Sequence, residues 1–140
     1  MYLLDTNVIS ELRRPERASP AVVAWAGSIA QDQTYLSAVT VYELELGVQL
    51  KERTDAAQGA VLRGWLSGQV LSEFAERIVD LDADAAALAA TLVAVHQIAA
   101  SDAYIAASAI TRQLTVVTRN VRHFAPTGAP VVNPWEYSSV

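Results

Sequence analysis

Tyr2-Leu3-Leu4-Asp5-Thr6-Asn7-Val8-Ile9 opens the chain with an apolar run, an acid at its end, and apolar residues at helical spacing straight after. Tyr2–Leu4 reads as a short buried strand. Thr6 to Arg13 reads as a helix with Val8, Ile9 and Leu12 on one side. A strand that feeds directly into a helix is the first half of a crossover unit, and the pattern recurs. Thr34-Tyr35-Leu36 precedes a helix from Val41 to about Lys51, apolar at Val41, Leu44 and Val48. Arg77-Ile78-Val79-Asp80 precedes an Asp82-capped helix from Ala83 to about His96, with Leu88, Leu92 and Val95 spaced for one face. A further helix runs from Ser101 or Asp102 to Arg112, followed by strand Leu114–Thr118. Strands alternating with helices imply right-handed crossovers and a parallel sheet covered on both faces, an α/β fold with more helix than strand.

Ser19-Pro20 is a helix start, Ser at the cap and Pro in the first position, for a helix reaching about Gly27. Thr54 or Asp55 caps a longer helix toward Phe74, with Val61, Leu62, Trp65 and Leu66 as its inner face. Gly59, Gly64 and Gly68 weaken it enough to break it. Pro126, Gly128 and Pro130 interrupt the chain late, and Val131-Val132 adds an edge strand. No repeat, linker or low-complexity segment is visible.

At 140 residues the chain is expected to form a single domain, 1–140, with a full core. Its hydrophobic content of 52% supplies that core. No apolar run approaches the ~20 residues of a membrane helix, and no signal peptide is visible. Cysteine is absent, which excludes disulfides and thiolate–zinc sites and suits a reducing cytoplasm, the expected location. A net charge of −5 argues against a module that merely coats nucleic acid. It is compatible with an enzyme that needs metal to hold a phosphate substrate. The cations are nine Arg and one Lys, with Arg13, Arg14 and Arg17 clustered early and Arg112, Arg119 and Arg122 late. Arg119 and Arg122 are candidate phosphate contacts, since Arg offers a forked set of donors, although an isolated Arg is more often solvated surface.

Four acidic or amide residues fall where a strand ends or a helix begins: Asp5, Glu43, Asp102 and Asn120. In a parallel sheet such positions converge on one edge, outside the carboxyl ends of the strands. Gathered carboxylates repel one another unless a cation sits between them, and a hard divalent ion is the simplest candidate. Each residue also has an ordinary structural explanation. Asp5 and Asp102 suit helix caps, Thr40-Val41-Tyr42-Glu43 fits a capping box, and Asn120 is a common turn residue. Taken alone, Glu43 reads as structural; taken together, four such coincidences at one sheet edge favour a metal site. Thr6, Ser101 and Thr118 stand next to the acids, placed to hydrogen-bond them. Other chemistries lack their signatures: His96 and His123 have no paired spacing, and no nucleophile elbow, phosphate loop or dinucleotide fingerprint occurs.

These blocks resemble the PIN-domain proteins, and most of all the VapC toxins of their FitB-like branch. The likeness is carried by Leu4-Asp5-Thr6-Asn7-Val8-Ile9-Ser10-Glu11 and by the stretch from Leu36 to Gly47. It continues in Ala100–Ala109, in Thr115-Val116-Val117-Thr118-Arg119-Asn120, and in Asn133-Pro134-Trp135. The resemblance implies a three-layer α/β/α fold around a mostly parallel sheet of four to five strands. It implies a Mg²⁺- or Mn²⁺-dependent endoribonuclease, with Asp5, Glu43 and Asp102 as metal ligands and Asn120 at the fourth acidic position. Relatives with Asn there often place Asp three residues later, where this chain has His123. The implied chemistry is attack by a metal-activated water, leaving a 5′-phosphate and a 3′-hydroxyl. The implied partners are RNA, a cognate VapB- or FitA-type antitoxin lying across the groove, and a second copy in a homodimer, with small-residue helices permitting the contact. DNA is reached only through the antitoxin, and no membrane is involved. Two other readings compete: a PIN-like scaffold that binds without cleaving, and a metal-dependent phosphatase.

Overall fold

The computed structural model describes residues 1–139. In chain order it runs β1 (Tyr2–Leu4), α1 (Thr6–Leu12), α2 (Pro20–Ser28), β2 (Thr34–Ser37), α3 (Ala38–Thr54), α4 (Ala56–Trp65), α5 (Leu71–Glu73) and β3 (Ile78–Val79). It continues with α6 (Ala83–His96), α7 (Ala100–Arg112), β4 (Thr115–Val117), α8 (Val121–Phe124) and β5 (Val131–Val132). The strands form one sheet in the order β3-β2-β1-β4-β5. Every pairing is parallel, with Leu4 opposite Leu36 on one side and Val117 on the other. This is the expected α/β/α architecture with five strands.

Successive strand side chains point to opposite faces, so neighbouring apolar residues feed two cores. Leu3, Val79 and Val116 face α6 and α7, with Phe124 closing that layer. Leu4, Leu36 and Val117 face Val8, Ile9, Trp25, Leu44 and Val48 from α1, α2 and α3, with Leu66 and Val70 beyond α4. Because β2 lies on one side of β1 and β4 on the other, the direction of winding reverses between β1 and β4. A crevice opens outside the carboxyl ends of those two strands. The residue after β1 is Asp5, and its amide donates to Val117 O at 2.9 Å, locking the two strand ends together.

Several local expectations are corrected. The helix expected from Val41 starts at Ala38, capped by Ser37, whose Oγ accepts from the Val39 amide at 3.0 Å. Thr40 is therefore inside the helix and fully buried, so Thr40 and Glu43 form no capping box. The helix expected from Ser101 or Asp102 begins at Ala100, with Asp102 in its first turn rather than at its cap. Ser19 occupies the cap of α2 without a side-chain cap bond; its amide donates to Glu11 Oε2 at 2.7 Å instead.

The glycine-rich segment does not break at Gly68. It widens into a π turn over Leu66–Val70, which turns Leu66 and Val70 into the core. Val61 and Val95, expected to face inward, are 56% and 66% exposed. On α6 Leu92 is buried as expected, together with Ala85 and Ala89. The small residues of α7 are consumed inside the fold: Ala103, Ala106, Ala107, Ser108 and Ala109 are all buried. They allow close packing on the sheet and α6, whereas Ala87, Ala90 and Ala94 of α6 remain exposed. Among the described residues no helix is long and apolar enough to cross a membrane.

Candidate active site

Asp5 leaves β1 as the cap of α1, and one carboxylate serves both structure and site. Oδ1 accepts from the Thr6 amide at 2.8 Å. Oδ2 accepts from Thr118 Oγ1 at 2.8 Å and from Asn7 Nδ2 at 3.3 Å. The residue is 6% exposed, and burial pushes its carboxyl above the ordinary range. The Thr118 and Thr6 bonds pull the other way, the Asp102 charge raises it again, and His123 lowers it. Thr118 is fully buried at the end of β4, and its hydroxyl also receives the Asn120 amide at 3.0 Å. Every polar atom of this link is satisfied, as a buried polar network requires.

Glu43 comes from α3. Thr6 Oγ1 donates to its Oε1 at 2.8 Å, and Thr40 Oγ1 lies 3.4 Å from the same Thr6 oxygen. Burial raises the Glu43 carboxyl most, the Thr6 bond opposes it, and the Asp5 and Asp102 charges add to the rise. Asp102, from the first turn of α7, thus acts electrostatically on both other acids. Its own contact is with His123, Nδ1 to Oδ2 at 3.3 Å.

The fold brings Asp5, Glu43, Asp102, Thr6 and Thr118 to one crevice. Asn120 caps α8 without a side-chain cap bond and lines a neighbouring polar hollow with Arg119, Arg122 and His123. Ser101 lines an apolar hollow with Val39, Tyr42 and Tyr104, and among the described residues no hydrogen bond joins it to Asp102. Asn7 is the participant that sequence reasoning passed over. It bonds Asp5 and Thr118 through Nδ2, and its Oδ1 receives the Arg119 amide at 3.4 Å. Its place two residues after Asp5, on the first turn of α1, was the available signal.

Chemically the three acids offer only oxygen donors; the Asp102 charge raises Asp5, and the Asp5 and Asp102 charges raise Glu43. That donor set suits a hard divalent cation. Among the described residues no three acidic or histidine side chains are gathered tightly enough to hold an ion as they stand. The three carboxylates reach the crevice from three different elements, the end of β1, α3 and α7.

The PIN domain family matches residues 2–128. Toxin FitB of Neisseria gonorrhoeae is 44% identical, over 96% of this chain and 99% of that protein. VapC ribonuclease Y4jK of Sinorhizobium fredii is 38% identical, over 97% of this chain and 99% of its own length. The structure of FitAB bound to an IR36 DNA fragment superposes with a TM-score of 0.87 at 40% identity, covering 99% of this chain and 98% of that one. The chain belongs to the PIN-domain family.

Proposed function

We propose that this chain is a Mg²⁺- or Mn²⁺-dependent endoribonuclease acting as the toxin of a type II toxin–antitoxin pair in the cytoplasm. The observation that carries this reading is the gathering of Asp5, Glu43 and Asp102 at the β1/β4 crevice, where burial and the nearby carboxylates push the Asp5 and Glu43 carboxyls up. The names of the FitB and VapC relatives support the same reading. In the proposed roles, Asp5 and Asp102 hold the ion and Glu43 binds it or orients the attacking water. Asn120 supports the water shell. When bound, the ion supplies charge for the scissile phosphate and a water of lowered pKa. Thr6 fixes the Glu43 carboxylate, and Thr118 with Asn7 fixes Asp5, so the acids keep their lone pairs aimed at the crevice. The proposed products are a 5′-phosphate and a 3′-hydroxyl.

The proposed protein partners are a VapB- or FitA-type antitoxin and a second copy, with DNA reached only through the antitoxin. An apolar hollow of about 360 Å³, lined by Trp25, Trp65 and Phe74, offers a seat for an apolar antitoxin segment. The face proposed for the second copy is α3, where Tyr42, Leu46 and Leu50 recur every four residues and are 65%, 42% and 56% exposed. Large apolar residues aligned in this way mark an interaction surface.

The test is cleavage-site mapping on total cellular RNA with the unaltered chain and Asp5→Ala, with and without Mg²⁺. Cleavage is expected only from the unaltered chain with metal; undiminished cleavage by Asp5→Ala in excess EDTA would overturn the reading. One observation favours a second reading, a scaffold that binds RNA or protein without cutting: His123 sits on Asp102, where a metal would compete with it. RNA binding in chelator, with no cleavage in Mg²⁺ or Mn²⁺, identifies that case.

A further inference from the structure

Next to the acids, the crevice continues into a separate polar hollow of about 360 Å³, lined by Arg119, Asn120, Arg122, His123, Asn133 and Glu136. It lies where β4 and β5 end, on the same carboxyl edge of the sheet. The His123–Asp102 contact at 3.3 Å is its boundary with the acidic cluster. The ion pairs of Arg63 and Arg112 are with Glu45, Glu52 and Asp82. Neither Arg119 nor Arg122 has an ion-pair partner among the described residues, and both are exposed at this hollow.

Arg119 is held at both ends. Its amide donates to Asn7 Oδ1 at 3.4 Å, which couples it to Asp5, and its guanidinium lies 5.2 Å from the Trp135 ring centroid. A guanidinium packed on an aromatic face keeps its in-plane N–H donors open to an anion. On the other wall Asn133 Oδ1 is occupied by the Trp135 amide at 3.0 Å, which leaves its NH₂ as donor. Glu136 is exposed and acts only as an acceptor at neutral pH.

We propose that this hollow is a nucleotide subsite beside the scissile bond. Arg119 and Arg122 hold the neighbouring phosphate, and Asn133 and Glu136 read the base edge. Glu136 accepts from an exocyclic amino group, so the subsite selects adenine, cytosine or guanine over uracil. The proposal deepens the ribonuclease reading and rests on it for the class of substrate. An acidic peptide is the rival occupant, and Glu136 repels its carboxylates where it would pair with a base amino group.

The test measures binding of fluorescein-labelled A6, C6 and U6 oligoribonucleotides to full-length Glu43→Gln protein in Mg²⁺, across a salt series. The same protein carrying Arg119→Ala, Arg122→Ala or Glu136→Ala is compared with it. A6 and C6 are expected to bind at least about fivefold tighter than U6. Arg119→Ala is expected to weaken all three about tenfold and to flatten the salt slope by about 0.7, the value for one single-strand phosphate contact. Arg122→Ala gives the same direction without touching the Trp135 contact, and Glu136→Ala, which removes the acceptor, removes the preference over uracil. A lost fold would also lower the thermal midpoint, which is read for each variant. Equal affinities and slopes in the Arg variants, a base preference that survives Glu136→Ala, or Arg119-dependent displacement by an acidic peptide would each overturn the subsite. Cleavage of the same oligonucleotides by the unaltered chain separates the two ideas. Cleavage with Arg119-independent binding removes the subsite alone, whereas Arg119-dependent, base-selective binding without cleavage removes the nuclease alone.

Discussion

Thr6 Oγ1 donates to Glu43 Oε1 at 2.8 Å, joining the residue after the cap of α1 to the second turn of α3 across 37 positions of sequence. The bond stabilises the ionised carboxylate and opposes the rise that burial imposes on Glu43. In Thr6→Val that opposition is gone, and the Glu43 carboxyl moves further up. Cleavage near neutral pH is expected to fall about tenfold, the usual worth of a hydrogen bond to a charged group. The acid limb of the kcat/KM profile should shift to higher pH. Thr6→Ser keeps the hydroxyl and should restore both; a profile unmoved in Thr6→Val would show that the bond does not tune Glu43.

Glu43 also links stability to pH and metal. Its folded carboxyl is raised above the ordinary value, first by burial. Such a group contributes stability below its unfolded pKa and loses it as pH rises through the folded one. In metal-free protein Glu43→Gln is therefore expected to raise the melting temperature by a few degrees at pH 7. The gain should shrink as pH falls through the raised folded value and be gone below the ordinary glutamate range. Adding Mg²⁺ or Mn²⁺ should raise the melting temperature of the unaltered chain more than that of the variant, because a ligand that binds only the folded state stabilises it. Calorimetry at several pH values, with and without the ion, reads both effects. Equal melting temperatures throughout would mean that Glu43 is not strained by its neighbours.

Gly59 is fully tied to a helix crossing. A Cβ there would lie 2.6 Å from the Glu52 Cα, where α4 folds back on α3 after the Asp55 cap. The obstruction is backbone and cannot rotate away. Gly59→Ala is expected to cost about 1–3 kcal/mol, the scale of overpacking, despite the better helix propensity of alanine. Urea unfolding measures it, and a neutral or stabilising result would mean that α3 and α4 do not approach so closely.

Leu46 sits on the exposed apolar row of α3 and makes no contribution to the buried core. Leu46→Glu is expected to leave the melting behaviour of the monomer within about 0.5 kcal/mol, as surface changes usually do. It should convert a dimer to monomer in sedimentation or light scattering. An unchanged dimer would place the interface on another face.

The sequence by itself determined the order of elements, the parallel class of the sheet and the identity of the acids. These follow from short-range rules: an apolar run forms a strand, a following polar residue caps a helix, and crossovers take one hand. Asp5 is the clearest case, since its strand, its cap and its helix occupy adjacent residues. Where local rules offered rival answers, they failed. Thr40 and Ser37 both suit a helix start, and the choice of Ser37 follows from β2, whose pairing with β3 continues through Ser37 opposite Val79. Ala-rich α6 is apolar nearly all round, so spacing could not choose its inner face. Its packing against small-residue α7 chose Ala85, Ala89 and Leu92 and left Val95 in solvent.

Only the tertiary structure decided that Thr6 reaches Glu43, that Thr118 reaches Asp5 across 113 positions, and that Ser101 lines the apolar hollow of Val39 and Tyr104. It also placed Arg119 on Trp135 beside a hollow that the linear order does not reveal. Such contacts depend on which strands become neighbours and where the winding reverses. Those are properties of the whole packed sheet, and no window of sequence contains them.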